Sequence, residues 1–234
     1  MCSVIGVFLR NVTSKNIETV REILLQSRIR GMHATGVTYY KNNQLNTVKE
    51  PVSSKDFLSK HSIEDFLDYN DLTMIAHCRY STSDLEYNQP IYNDSMSVVH
   101  NGVISQELPE NWKKLYGYNT ATKNDTELLA HSVIDGDSPL VKWKDASISV
   151  VEIYPNKSLR FYRNGKRPLH YAKLDNGYVI TSTADIMNRA NSELEPIRVY
   201  PGIYNIIRDN VLHKNNIQHY EEIETEINIR DLQP

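Results

Sequence analysis

A chain of 234 residues and 27.0 kDa can bury one substantial core without disulfides or a structural metal, so a single domain over residues 1–234 is expected. Apolar residues at 40% and charged residues at 24% lie near globular averages; with no run of eighteen apolar residues, this composition argues against a disordered or membrane-spanning chain. A net charge of -3 gives no pull toward nucleic acid, only Cys2 and Cys78 carry thiols, and the eight histidines show no metal-ligand spacing, so no cofactor or metal is expected.

The opening MCSVIGVFLR has no basic stretch ahead of its short apolar run and is no secretion signal, which leads to the expectation of a cytoplasmic protein. Ser3 to Phe8 reads as a buried strand starting almost at the terminus. From Ile17, the apolar positions Val20, Ile23 and Leu24 keep helical spacing as far as Arg30-Gly31, where the glycine suits a helix C-cap. GVTYYK and LNTVKE flank Asn42-Asn43 as a hairpin, and Ser53 to Tyr69 returns to a helical pattern with a break near His61-Ser62.

Thr73 to Tyr80 and Ser97 to Val103 read as strands separated by a polar loop, and helices follow around Gln106 to Tyr116 and Thr126 to Ile134. Short strands then come at Ala146 to Tyr154, Leu159 to Arg163, Leu169 to Leu174, Tyr178 to Ser182 and Ile203 to Ile207, with a helix over Ala184 to Asn191. The basic residues Arg160, Arg163, Lys166 and Arg167 around Asn164-Gly165 read as a solvated hairpin tip. Strand-rich ends with helices between them point to an α+β domain of two sheets covered by helices.

Cys2 follows Met1, and removal of that methionine leaves a thiol and an α-amine on one residue. An α-amine titrates at about 7.7 to 8 and a thiol at about 8.5, so the amine can take the thiol proton without a histidine. Alternatively, Cys2 is a small buried hydrophobe. Arg79, at the end of a strand, can clamp a carboxylate or pair with surface acids. Asn101-Gly102 is a turn signal, and the same pair can aim two N–H donors at an oxyanion. Asp125 is either an acid at a helix start, next to a capping-box variant formed by Asn124 and Glu127, or a holder for an ammonium group.

In their order along the chain, MCSVIGVF, RGMHATGV, AHCRYST, VVHNGVI and NDTELLAH resemble the motifs of the class II glutamine amidotransferases, the N-terminal nucleophile family that includes the glutaminase part of amidophosphoribosyltransferase. Weaker echoes at Arg167-Pro168-Leu169, Ser182-Thr183 and Pro201-Gly202 carry the likeness over most of the chain. His33 stands where the family has an acid and Ala76 where it has glycine, and Cys78 is additional.

The resemblance implies a four-layer αββα sandwich of two antiparallel sheets between helix layers. It implies Cys2 as nucleophile, Asn101 and Gly102 as oxyanion hole, Arg79 and Asp125 as holders of the carboxylate and amine of L-glutamine, Tyr80 and Thr82 as pocket walls, and the loop up to Tyr87 as a lid. The family's acceptor domains have no counterpart in these 234 residues, which leads to the expectation of a separate synthetase or transferase partner. A stand-alone amidase for another γ-glutamyl compound, or an idle glutamine-binding scaffold subunit, is the alternative.

Overall fold

The structure, a computed structural model, describes residues 2–81 and 84–216. Strand β1 (Ser3–Leu9) is buried along its whole length. Its side chains alternate between two cores: Ile5, Val7 and Leu9 enter one, Val4 and Phe8 the other. Helix α1 (Ser14–Ser27) begins at a capping box in which Thr13 and Asn16 satisfy each other's backbone N–H groups, and it buries Val20, Ile23 and Leu24.

Strands β2 (Ala34–Lys41) and β3 (Gln44–Glu50) form the expected hairpin, with Asn42 and Asn43 both in left-handed backbone. The next helical stretch is interrupted, as its pattern indicated, into α2 (Ser54–Leu58) and a 3-10 turn at Ile63–Phe66. Strand β4 (Leu72–Arg79) is followed by a 3-10 turn at Leu85–Tyr87 and the short β5 (Ile91–Tyr92). Then come β6 (Ser97–His100), α3 (Pro109–Tyr116), α4 (Thr126–Ile134), α5 (Pro139–Lys142), β7 (Ser149–Ile153), β8 (Leu159–Arg163), β9 (His170–Leu174) and β10 (Gly177–Thr181). Helix α6 (Ala184–Ala190) precedes β11 (Ile197–Arg198), β12 (Ile203–Arg208) and β13 (Val211–Asn216).

Two antiparallel sheets result, ordered β11-β9-β10-β1-β4-β2-β3 and β13-β12-β8-β7-β6-β5. One core lies between the first sheet and the layer of α1, α2 and α6, a second between the sheets, and a third between the second sheet and α3 to α5. This is the αββα sandwich. No helix among the described residues is long and apolar enough to cross a membrane.

Several local readings are corrected. Gly31 is not a C-cap, since α1 ends at Arg28 in right-handed backbone; a Cβ on Gly31 would lie 2.2 Å from the Cys78 carbonyl oxygen. Asn164-Gly165 is not a solvated hairpin tip, because β8 and β9 belong to different sheets and the segment crosses between them. Arg163 is 1% exposed there and donates to the carbonyls of Gly165, Arg167 and Val199. Asn101-Gly102 is not a hairpin tip either, as neither residue has positive φ and pairing with the β7 side continues through Val103 and Ser147.

Candidate functional site

The register of the first sheet brings three motifs together at one end of its interior strands β1, β4 and β2. Ser3 pairs with Cys78, so continuing by one residue sets Cys2 against Arg79, and Arg79 in turn pairs with Ala34. Cys2 is partly buried and, by strand alternation, shares with Val4 the face turned toward the second sheet. Its carbonyl accepts a 3.0 Å hydrogen bond from Arg30 Nε. The strand behind it is fixed by Ser182, whose Oγ accepts from Val4 N at 2.9 Å and whose N donates to Val4 O at 3.1 Å.

Across the sandwich, the chain leaving β6 presents Asn101 and Gly102. Asn101 N donates to Ser149 O and Val103 N to Ser147 O, so the intervening Gly102 N–H points away from β7, as alternate residues do in an antiparallel pair. Gly102 must be glycine, because a Cβ would sit 1.7 Å from Ser147 O. The Asn101 residue is 4% exposed, and its buried Nδ2 has no hydrogen-bond partner. A buried donor left unpaired costs about 1–3 kcal/mol, which makes such an atom a place to look for a ligand.

Asp125 sits at the N-cap position of α4. It does not cap its own helix; its Oδ2 accepts from Ile104 N at 2.6 Å and Ser105 N at 3.3 Å, tying α4 to the segment that follows Gly102. The capping box expected of Asn124 and Glu127 is absent: Asn124 Oδ1 accepts from Thr126 N, but Glu127 reaches back to Ala121 N and to Thr122 N and Oγ1. Arg79 Nη1 donates to Asp84 O at 2.7 Å and Asn88 Oδ1 at 3.2 Å, while Asn124 Nδ2 donates to Tyr87 O at 2.8 Å. Residues 84–88 are therefore pinned by Arg79 at one side and Asn124 at the other. Tyr80 is 60% exposed with its ring 5.0 Å from that of His33, and Thr82 lies outside the described residues.

The electrostatics distinguish the two thiols' surroundings. Burial pushes the Cys78 thiol up to about 12, leaving it protonated at neutral pH. The guanidinium of Arg30 is drawn down by burial, an effect that Cys2 opposes and Arg167 reinforces. Burial also lowers His100, and lowers His77 to about 3, with Arg79 and His100 adding to the fall at His77. Both histidines are therefore neutral. Among the described residues no group of three or more acidic, histidine or cysteine side chains is arranged to hold a metal ion.

The residues that motif reading passed over are Arg30, His77, Gln89, His100 and Ser182. Arg30, His77, His100 and Ser182 lie inside quoted motifs and Gln89 between two of them, but their surroundings are built by residues distant in sequence.

No protein-family model matches the chain. Among curated proteins it is similar to glutamine--fructose-6-phosphate aminotransferase [isomerizing] of Yersinia pseudotuberculosis, 30% identical over 141 residues, which cover 57% of this chain and 22% of that protein. The chain thus spans only 22% of the length of that relative. In fold it is similar to the glutamine phosphoribosylpyrophosphate amidotransferase from B. subtilis, with a TM-score of 0.71 and 20% identity over 94% of this chain and 50% of that one. A glutamine aminotransferase class-II domain protein from Silicibacter pomeroyi matches 92% of this chain and 99% of its own, with a TM-score of 0.57 and 11% identity.

The αββα sandwich is the fold of the glutamine amidotransferase structures that the chain resembles, and just over half of the chain is similar in sequence to a glutamine-using aminotransferase.

Proposed function

We propose that residues 1–234 form one glutaminase domain that hydrolyses the side-chain amide of L-glutamine through the thiol of Cys2, freed at the terminus by removal of Met1. The observation that carries this reading is the buried, unpartnered Nδ2 of Asn101 on the sheet facing that of Cys2. It is the donor that an oxyanion formed by attack on an amide requires.

In this mechanism the α-amine of Cys2 takes the thiol proton, and the sulfur attacks the γ-amide carbon. Asn101 Nδ2 and Gly102 N–H receive the charge on oxygen, and the protonated amine delivers its proton to departing ammonia. Water then hydrolyses the γ-glutamyl thioester. Arg79 would hold the substrate's α-carboxylate and Asp125 its α-amine, with Tyr80 and Thr82 at the pocket wall and the segment to Tyr87 closing over it. Ammonia would pass to an acceptor site on a separate protein in the cytoplasm; the aminotransferase name of the sequence relative supports the existence of an acceptor.

Replacing Cys2 by Ala tests the assignment. Turnover of glutamine should fall by roughly 10^6-fold while the thermal melt is unchanged, as expected for loss of a nucleophile. A diazoketone analogue of glutamine should label Cys2 and spare Cys78, whose thiol burial keeps protonated. Wild-type turnover by the variant, or peptide mapping of the label to Cys78, would remove the nucleophile from this position. Copurification from the native host tests the acceptor: a recovered transferase or synthetase should raise the glutaminase rate, and full activity with nothing bound would leave a free glutaminase.

A further inference from the structure

The mechanism above leaves one buried side chain behind the oxyanion donors unused. His100 is 2% exposed, with Nε2 2.9 Å from Ser147 O and Nδ1 3.3 Å from Thr126 Oγ1. A carbonyl oxygen only accepts, so Nε2 carries the proton and Nδ1 accepts from the threonine hydroxyl. The backbone of His100 is held too: its N donates to Gln89 Oε1 at 2.6 Å and its O accepts from Gln89 Nε2 at 3.1 Å. The base of the loop after β4, the strand carrying the oxyanion donors, the segment entering β7 and the first turn of α4 therefore meet at one residue.

Ser147 O is also the atom that confines Gly102. It accepts from Val103 N at 3.1 Å on one side of Gly102 and from His100 Nε2 on the other, and a Cβ at Gly102 would lie 2.5 Å from that same Nε2. Two donors thus bracket Gly102 and grip one oxygen. Thr126, the other partner of the ring, directly follows Asp125, whose carboxylate binds Ile104 N and Ser105 N beyond Gly102. The imidazole closes a ring of contacts around the segment from Asn101 to Ser105.

We propose that His100 is a positioning residue for glutamine hydrolysis: as the neutral Nε2–H tautomer it clamps the Asn101-Gly102 donors against Ser147 and ties them to the turn that carries Asp125. This rests on the glutaminase reading given above. Burial keeps the ring neutral, which the acceptor role of Nδ1 requires.

The test compares His100→Phe, which keeps a ring and loses both polar atoms, with His100→Gln, which keeps a donor in reach of Ser147 O. For each, kcat and KM for glutamine, the thermal melt and the rate of Cys2 alkylation by iodoacetamide are measured on the full chain with Met1 removed. Alkylation displaces iodide from a saturated carbon and develops no oxyanion, so it reports the thiol alone. His100→Phe should lose kcat by about 10^2- to 10^3-fold, the effect of one misplaced oxyanion donor, with KM within about threefold and alkylation unchanged. His100→Gln should recover at least about tenfold of that loss.

An unchanged kcat in His100→Phe, alkylation falling in step with kcat, or no recovery in His100→Gln would overturn the proposal. If the Phe variant does not fold, His100→Asn, which keeps a polar atom only near Thr126, takes its place with the same expectations. Absence of turnover in the wild type would instead overturn the glutaminase reading and this proposal with it.

Discussion

Glu152 and Asn101 lie in the same sheet, at β7 and just beyond its neighbour β6, and the fold treats these two buried polar side chains in opposite ways. Glu152 is 0% exposed and fully partnered: Tyr154 and Tyr162 hydroxyls donate to it at 2.7 Å each, and Arg160 donates through Nε at 2.5 Å and Nη2 at 3.1 Å. The rings of Tyr154, Tyr162 and Tyr204 surround the Arg160 guanidinium, and burial pushes the Tyr162 hydroxyl up so that it stays a donor. Asn101, turned toward the other sheet, keeps a donor with no partner. A satisfied network specifies a packing arrangement, whereas an orphaned donor is tolerated where a ligand completes it.

The contrast predicts which variants lose stability and which lose chemistry. Glu152→Ala should have the largest effect on folding, about 3–5 kcal/mol in denaturant unfolding, because it leaves the partly buried Arg160 without its carboxylate. Its glutamine turnover per folded molecule should equal that of the wild type. A loss below about 1 kcal/mol would show that the tyrosine cage alone suffices for Arg160.

Asn101→Ala reverses the pattern. It should raise the barrier by about 2.7–4 kcal/mol, read as a 10^2- to 10^3-fold fall in kcat. Its unfolding free energy should change by less than about 1 kcal/mol, since the deleted donor makes no hydrogen bond in the fold. Unfolding destabilised as strongly as in Glu152→Ala would mean that Asn101 is structural and that the comparison fails.

The same contrast explains what the sequence made legible. Cys2, Arg79, Asn101 and Asp125 all sit at or beside the ends of elements whose hydrophobic pattern is local, so the elements and the placement of these residues at their ends could be read from short windows. Asn164-Gly165 misled because its letters favour a turn while its neighbours Arg163 and Leu169 are buried by partners on two sheets. Gly31 and Gly102 are fixed by backbone from β4 and from the β7 side, contacts that no local window contains. Strands β11 and β13 were missed because they are edge strands with largely exposed side chains, held by backbone pairing to β9 and β12.

The smallest expected effect concerns acid, and it separates the two clusters through His77. This ring lies on β4 beneath the candidate site, 1% exposed, with a buried Nε2 that has no partner. Burial, helped by Arg79 and His100, lowers its pKa from 6.5 to about 3, whereas in the unfolded chain it titrates near 6.5. Between those values the unfolded state binds more protons than the fold. The stability contributed by the neutral ring is thus fully present above pH 6.5 and is lost progressively as pH falls toward 3. At pH 5 the loss from this one group should be roughly 2 kcal/mol, about 1.5 units at 1.36 kcal/mol each. His100 and His170, both lowered by burial, add losses of the same sign, so the contribution of His77 must be taken by difference. Denaturant unfolding of the wild type and His77→Asn at pH 7.5 and 5.0 provides it: the variant should start less stable and lose about 2 kcal/mol less on acidification. Equal losses would mean that His77 is protonated in the fold at pH 5 and that the space beneath Cys2 admits water.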